Sequence, residues 1–278
     1  MENSGRIKEI KGVDVKRFYA IEGEAPLDNL VSDGGFCGIF RTIGVVGDSL
    51  ASGELESFEE GIRGYHDFYE YSWGQYMART LANTVYNFSR GGMTAKEFVE
   101  SYADKCGVYR YENLCQAYII ALGINDMKCN YELGDAESAF NKNPSQDNQS
   151  FLTYYARIIK TIKSKQPKAK IFLMTFPYHP QNDEDVQAKK EVWSAGIRAL
   201  AEKFSNTYVL DFRKYAPAYD EKWTKTFQRG HMTPAGYLLT AKMVMSYIDW
   251  IIRNNPDDFA QVGFIGTPYS YRMVPEVK

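Results

Sequence analysis

The chain has 278 residues, 44% of them hydrophobic and 24% charged, with 22 glycines and 10 prolines, which is the make-up of a globular protein and not of a disordered, collagenous or coiled-coil one. With 33 Lys and Arg against 35 Asp and Glu the net charge is −2, so no basic field exists to draw a nucleic acid partner. The length fits one elaborated α/β domain over 1–278, with a core of about 41–253, an N-terminal extension 1–40 and a C-terminal arm 254–278.

Along the chain, short apolar runs bounded by turn residues alternate with longer segments of helical period, the pattern of a parallel sheet covered on both faces. The first strand is expected at Thr42–Val46, followed by an insertion over 51–73 heavy in Glu, Gly and Tyr and a helix near Tyr69–Leu81. A second strand at Thr84–Phe88 leads to a helix near Thr94–Asp104, and a third at Ala117–Leu122 leads to the polar, Asn-rich stretch 127–149, which reads as a long loop. Helices near Ser150–Ser164 and Asp183–Phe204 flank a fourth strand at Lys170–Thr175, and a fifth strand follows at Tyr208–Asp211. The last helix, Pro234–Arg253, has the clearest start: Thr233 suits the N-cap and Pro234 the first helical position, with Tyr237, Leu238, Ala241, Met245, Ile248 and Ile252 at helical spacing.

The most apolar stretch, Leu238–Ile252, is interrupted by Lys242, Ser246 and Asp249, so no membrane span is expected. The first eleven residues are polar and charged, and the sequence as it stands reads as cytoplasmic, or as secreted or periplasmic if a leader preceded it. Four cysteines (Cys37, Cys106, Cys115, Cys129) form no CxxC and are expected as reduced thiols, with Cys106 and Cys115 the pair to test for a disulfide. Three histidines (His66, His179, His231) lie at no metal-ligand spacing, and neither metal nor cofactor is expected.

In an open parallel sheet ligands bind beyond the carboxyl ends of the strands, so the residues just after each strand carry the chemistry. There the sequence places Gly47-Asp48-Ser49-Leu50, Ser89-Arg90-Gly91-Gly92-Met93-Thr94, Gly123-Ile124-Asn125-Asp126 and, before the last helix, Gly230-His231-Met232-Thr233-Pro234. Singly, each is an ordinary cap or turn. Together they put a nucleophile, a base and convergent hydrogen-bond donors at one sheet edge, which is what acyl transfer needs.

In the order and context of these blocks, VVGDSLASGE, NFSRGGMT, ALGINDM and GHMTPAGY, the sequence resembles the SGNH hydrolases, also called GDSL lipases and esterases. The resemblance implies a three-layer, flavodoxin-like SGNH hydrolase fold with a roughly five-stranded parallel sheet. It also implies ester hydrolysis through an acyl-enzyme, with Ser49 as nucleophile and His231 as base. The oxyanion hole would be formed by the backbone N–H groups of Ser49 and Gly92 and the side-chain amide of Asn125. One position departs from the family pattern: where an Asp usually stands three residues before the histidine, this chain has Gln228. Gln228 itself, a backbone carbonyl, or an acid brought from elsewhere, such as Asp211, Asp220 or Glu221, could then orient His231. Asp48 and Asp126 read as braces of their turns, and His66 as exposed.

Aromatic residues make up 15% of the chain, including 21 tyrosines, and several fall near the expected site. Asp48, Tyr178, His179 and Trp223 are the candidates for substrate contact, and rings with polar tips suit sugar faces as well as short acyl groups. The reading is a serine esterase acting on short, acetyl-type esters of a carbohydrate or related small molecule. The alternative is a catalytically impaired relative that binds a carbohydrate or small ester, which Gln228 motivates. A nucleotide-binding domain is disfavoured, because neither a G-x-G-x-x-G nor a G-x-x-x-x-G-K-[ST] follows the first strand.

Overall fold

A computed structural model describes residues 15–145 and 148–269. Seven strands organise it: β1 (Thr42–Gly47), β2 (Glu54–Glu59), β3 (Ile62–Asp67), β4 (Thr84–Asn87), β5 (Ala117–Ala121), β6 (Lys170–Met174) and β7 (Thr207–Leu210). Five of them form one parallel sheet in the order β4-β1-β5-β6-β7, while β2 and β3 pair with each other as a separate antiparallel hairpin. The five expected strands are these five, within a residue or two at their ends.

Side chains along the sheet alternate between two cores, as a pleated strand requires. Val46, Tyr118, Ile120, Ile171 and Leu173 pack with Phe98, Phe151, Tyr155, Ile159, Trp193 and Ile197 from helices on one face. Ile43, Val45, Ile119 and Phe172 pack on the other with Trp73, Met77, Tyr237, Val244 and Ile248. The result is the three-layer α/β fold expected of the sequence. The helix Pro234–Asn254 begins as its sequence dictates, with the Thr233 side chain accepting from the Gly236 N–H at 3.2 Å and proline in the first turn.

Several local expectations are corrected. The insertion after β1 is the β2–β3 hairpin, joined by a two-residue turn at Glu60–Gly61 with φ of 52° and 81°, the primed geometry that matches strand twist. The helix expected from Tyr69 starts at Trp73, capped by Ser72, after a short 3₁₀ turn at Tyr69–Tyr71; Trp73 is buried whereas Tyr71 is exposed. The stretch 127–149 is not all loop, since Ala136–Asn141 forms a helix capped by Asp135, whose small apolar face of Ala136 and Ala139 is buried. The C-terminal arm, as far as it is described, packs on its own domain: Phe259, Val262 and Ile265 are buried, and Gln116 Nε2 donates to the Val262 carbonyl at 2.8 Å. Residues 270–278 and the first fourteen lie outside the described residues. Cys106 and Cys115 are both free thiols, as are Cys37 and Cys129. Among the described residues no helix is long and apolar enough to cross a membrane.

Ile119, fully buried at the centre of the middle strand, tests the sheet. Ile119→Ala is expected to cost about 2–5 kcal/mol, read as a lower denaturant midpoint with an unchanged slope. A loss below about 1 kcal/mol would mean that the site collapses around the deletion.

Candidate active site

The strand order reverses between β1 and β5, so the crevice of this sheet opens between their carboxyl ends. Ser49 stands one turn beyond β1. The Asp48 side chain accepts from the Leu50 N–H at 3.0 Å and thereby caps the short helix Ser49–Ser52. Asp126, beyond β5, accepts the Ala95 N–H with both oxygens at 3.0 and 3.1 Å, bracing the loop that carries Gly92. His231 arrives from the loop before the last helix, and its Nε2 lies 3.0 Å from Ser49 Oγ.

The other ring nitrogen meets a residue to which the sequence motifs give no role. His231 Nδ1 lies 2.6 Å from Oε1 of Glu56, on β2 of the hairpin. Arg63, across the hairpin on β3, pairs with the same carboxylate. Burial would raise the Glu56 pKa, but the hydrogen bonds from His231 and Arg63 outweigh it and hold the group below the usual carboxylate range, so it is ionised at neutral pH. Gly230 is what allows the approach: a Cβ built there would sit 2.1 Å from a Glu56 carboxylate oxygen. Gln228 lies beside the cavity on a two-residue strand paired with Met232, and it makes no hydrogen bond to His231. Asp211 is engaged by Thr175 at 2.8 Å and by Arg198 at 2.7 Å, Asp220 caps its own helix at Trp223, and Glu221 pairs with Lys225, so none of these three reaches the imidazole.

The hairpin is fixed where it matters. The Tyr237 hydroxyl, fully buried, donates to the Glu54 carbonyl at 2.8 Å and lies 3.4 Å from the carbonyl of Ser49. At the same end of the hairpin, on the return strand opposite Glu54, Asp67 accepts from the Ser52 hydroxyl and from the Gly91 N–H. Glu54, also on β2, places Oε1 3.1 Å from His231 Nε2. Burial raises its pKa, His231 works against that rise, and Asp67 and Glu56 add to it. Two carboxyl groups therefore flank one imidazole.

Of the proposed oxyanion donors, Ser49 and Asn125 line the cavity beside the serine, and Gly92 stands outside its lining. A Cβ on Gly92 would meet nothing within 4 Å, so the space above that backbone is open. The Asn125 amide donates to the Met93 carbonyl at 3.1 Å and faces an Asp48 oxygen at 3.5 Å. A cavity of about 390 Å³ opens beside Ser49, walled by Ala121, Leu122, Met174 and Phe176 and reaching Asp48, His179 and Gln228. Of the candidate substrate contacts, Asp48 and His179 line it. Tyr178 is half-exposed beneath the Arg213 guanidinium, 5.1 Å from its ring, outside the cavity lining. Trp223 is buried in a stack with Tyr219, ring centroids 4.2 Å apart, and acts as packing. Tyr65, missed as a contact to the histidine, meets the His231 ring edge-on at 6.0 Å from the hairpin. His66 is exposed, as expected.

The GDSL-like Lipase/Acylhydrolase family model matches residues 45–239. Among solved structures, an active-site mutant of a family two carbohydrate esterase from Clostridium thermocellum superposes with a TM-score of 0.53 at 16% identity, covering 78% of this chain and 64% of that one. A protein described as a possible lipase, from Chitinophaga pinensis, gives 0.52 at 14% identity over 77% and 98% of the two chains. An acetyl xylan esterase gives 0.50 at 17% identity over 74% and 99%. At these identities the likeness is one of fold. No curated protein matches the chain.

Asp48 is 3% exposed, and burial, only partly offset by the Leu50 N–H and by Lys128, pushes its pKa up to about 7. A raised folded-state pKa contributes stability that is fully present below the unfolded value of about 4 and is lost as pH rises through about 7. Replacing Asp48 by Asn removes that loss. The melting temperature of Asp48→Asn minus that of wild type is therefore expected to increase between about pH 5 and about pH 8; a gap independent of pH would place the charge of Asp48 in contact with solvent.

Proposed function

Because this chain belongs to the GDSL-like lipase/acylhydrolase family of carboxylic ester hydrolases, we propose that it hydrolyses short acyl esters through an acyl-enzyme on Ser49, with His231 as general base and Glu56 as the acid that orients it. The observation that carries this reading is the imidazole held between Ser49 Oγ at 3.0 Å and Glu56 Oε1 at 2.6 Å. With Nδ1–H donated to Glu56, the Nε2 lone pair faces the Ser49 hydroxyl, the tautomer a base needs.

Ser49 Oγ attacks the ester carbonyl carbon as its proton passes to His231 Nε2. The carbonyl oxygen becomes an oxyanion, bound by the N–H groups of Ser49 and Gly92 and the Asn125 amide. Glu56 stabilises the imidazolium. Collapse breaks the bond to the leaving alcohol, which takes the proton from Nε2 and leaves the acyl group on Ser49. Water then attacks with His231 as base again, releasing the carboxylic acid and restoring the serine. The substitution at Gln228 gives no reason to expect lost catalysis, since a carboxylate stands at Nδ1 from another segment.

For the substrate we favour an acetyl-type ester on a carbohydrate. The cavity suits a short acyl group or a single sugar ring, not a long chain. Tyr65 on the hairpin and Phe68, Tyr69 and Tyr71 in the segment that follows it are exposed, flat surfaces of the kind that stack on sugar faces. The Clostridium thermocellum esterase of similar fold is described in complex with cellohexaose.

Hydrolysis of a chromogenic acetyl ester is expected to vanish in Ser49→Ala. Glu56→Gln should lower kcat by about 10²- to 10⁴-fold, as loss of a triad acid does, with Gln228→Ala far milder. If Gln228→Ala proved the more damaging, the orienter would be Gln228. Across a series of esters, acetyl and butyryl are expected to outpace octanoyl; rates rising steadily with chain length would point to a lipase.

A further inference from the structure

The cavity beside Ser49 carries charge that the ester reaction does not use. Lys190, in the helix Glu184–Ala201, lines it while only 7% exposed. Among the described residues it has no ion-pair partner within 4.0 Å and no side-chain hydrogen bond. The stem is buried and the ammonium opens only to the cavity, and a charge so poorly solvated with no counter-ion is costly unless something else neutralises it. Burial first, then repulsion from Arg213 and Lys128, lowers its pKa to about 8, so it remains mostly charged at neutral pH.

Its surroundings make the imbalance sharper. Lys128, one turn beyond Asn125, also lines the cavity, as do His179 and Asn182. The Asn182 amide nitrogen is buried without a hydrogen-bond partner. His179 Nδ1 lies 3.3 Å from the Pro177 carbonyl, and burial with nearby Lys190 pushes its pKa down to about 4, leaving the ring neutral. The Arg213 guanidinium nearby is taken up by Glu191 at 2.9 Å and Gln187 at 2.8 Å. Among the described residues Asp48 is the one acid in the lining; it already accepts from Leu50 and faces Asn125, and the charges that act on it are those of Lys128, His231 and Asp126.

We propose that this cavity is a subsite for an anionic group, so that the ester hydrolysed at Ser49 carries a carboxylate, with Lys190 as its principal contact and Lys128 and the Asn182 amide flanking it. A uronic acid bearing an O-acyl group has this chemistry. A carboxylate is favoured over a phosphate because Lys128 already faces the Asp48 carboxyl, which leaves Lys190 as the single ammonium to balance, and one ammonium balances a monoanion. The assignment rests on the proposed esterase reading for its chemistry, but not for its binding.

Turnover is compared on an O-acetylated uronic acid and the matching O-acetylated neutral hexose. Wild type is expected to favour the uronate in kcat/KM by about tenfold or more, mainly through KM. Lys190→Gln should bring that ratio near one, and Lys190→Arg should retain most of it. Equal kcat/KM for the two sugars in wild type, or a ratio that Lys190→Gln leaves unmoved, overturns the proposal. Binding is read separately by calorimetry on Ser49→Ala, which needs no turnover: free glucuronate is expected to bind, and the added Lys190→Gln change to weaken it by about tenfold or more. No glucuronate binding overturns the subsite, and glucose 6-phosphate binding more tightly than glucuronate overturns its assignment to a carboxylate. Glucuronate held through Lys190 by a protein that turns over no ester would support the subsite and refute the esterase reading alone.

Discussion

A carboxylate can orient a histidine only while the segment that carries it is held still, and here that segment is a two-stranded hairpin outside the main sheet. The distance between His231 and Glu56, 175 residues apart in sequence, depends on a few buried anchors. The Tyr237 hydroxyl ties the base of the hairpin to the last helix and to the nucleophile turn, and Asp67 ties its return strand to Ser52 and Gly91. Cross-strand pairing then does the rest, since Glu56 lies opposite Tyr65 and within reach of Arg63. The proposed base, acid and nucleophile are thus held by three elements that meet at one tyrosine.

Charge around Ser49 is sorted by side. Glu54 and Glu56 come from the hairpin and lie against His231, with Asp67 opposite Glu54, so positive charge on the imidazole of the proposed base would be met by carboxylates. Lys128 and Lys190 come from helices on the far side of the nucleophile and face the cavity. Fixed charges placed in this sense favour a proton moving toward the hairpin and negative charge accumulating away from it. Charges fixed in place in this way act without reorganisation during the reaction.

What the sequence revealed follows from what local pattern encodes. The three central strands are buried along nearly their whole length and read as continuous apolar runs, while the edge strands β4 and β7 are only part-buried; the rim residues Ser49, Gly92 and Asn125 follow from where strands end, and His231 from where the last helix begins. The hairpin does not read as strands because Glu54-Leu55-Glu56-Ser57-Phe58-Glu59 is half acidic and poor in β-formers; its pairing is stabilised by partners that only the fold supplies. Glu56 escaped for a related reason. The usual acid is found by its fixed offset from the histidine, whereas this one arrives through space, and only Gly230 hints at the room it needs. The helix Ala136–Asn141 was likewise hidden, since its two buried alanines leave too narrow an apolar stripe to stand out against the asparagines around it.

The hairpin's outer half is thinly supported, with Phe58 75% and Ile62 72% exposed around the turn, and among the described residues no third strand pairs with it. Regions with few buried contacts open at a lower free energy than the core that carries them. Fraying that reaches Arg63 would free Glu56 from its second partner while the five-stranded sheet stayed folded. The heat tolerance of this site is therefore set by a ribbon of fourteen residues from Glu54 to Asp67 and not by the melting of the domain.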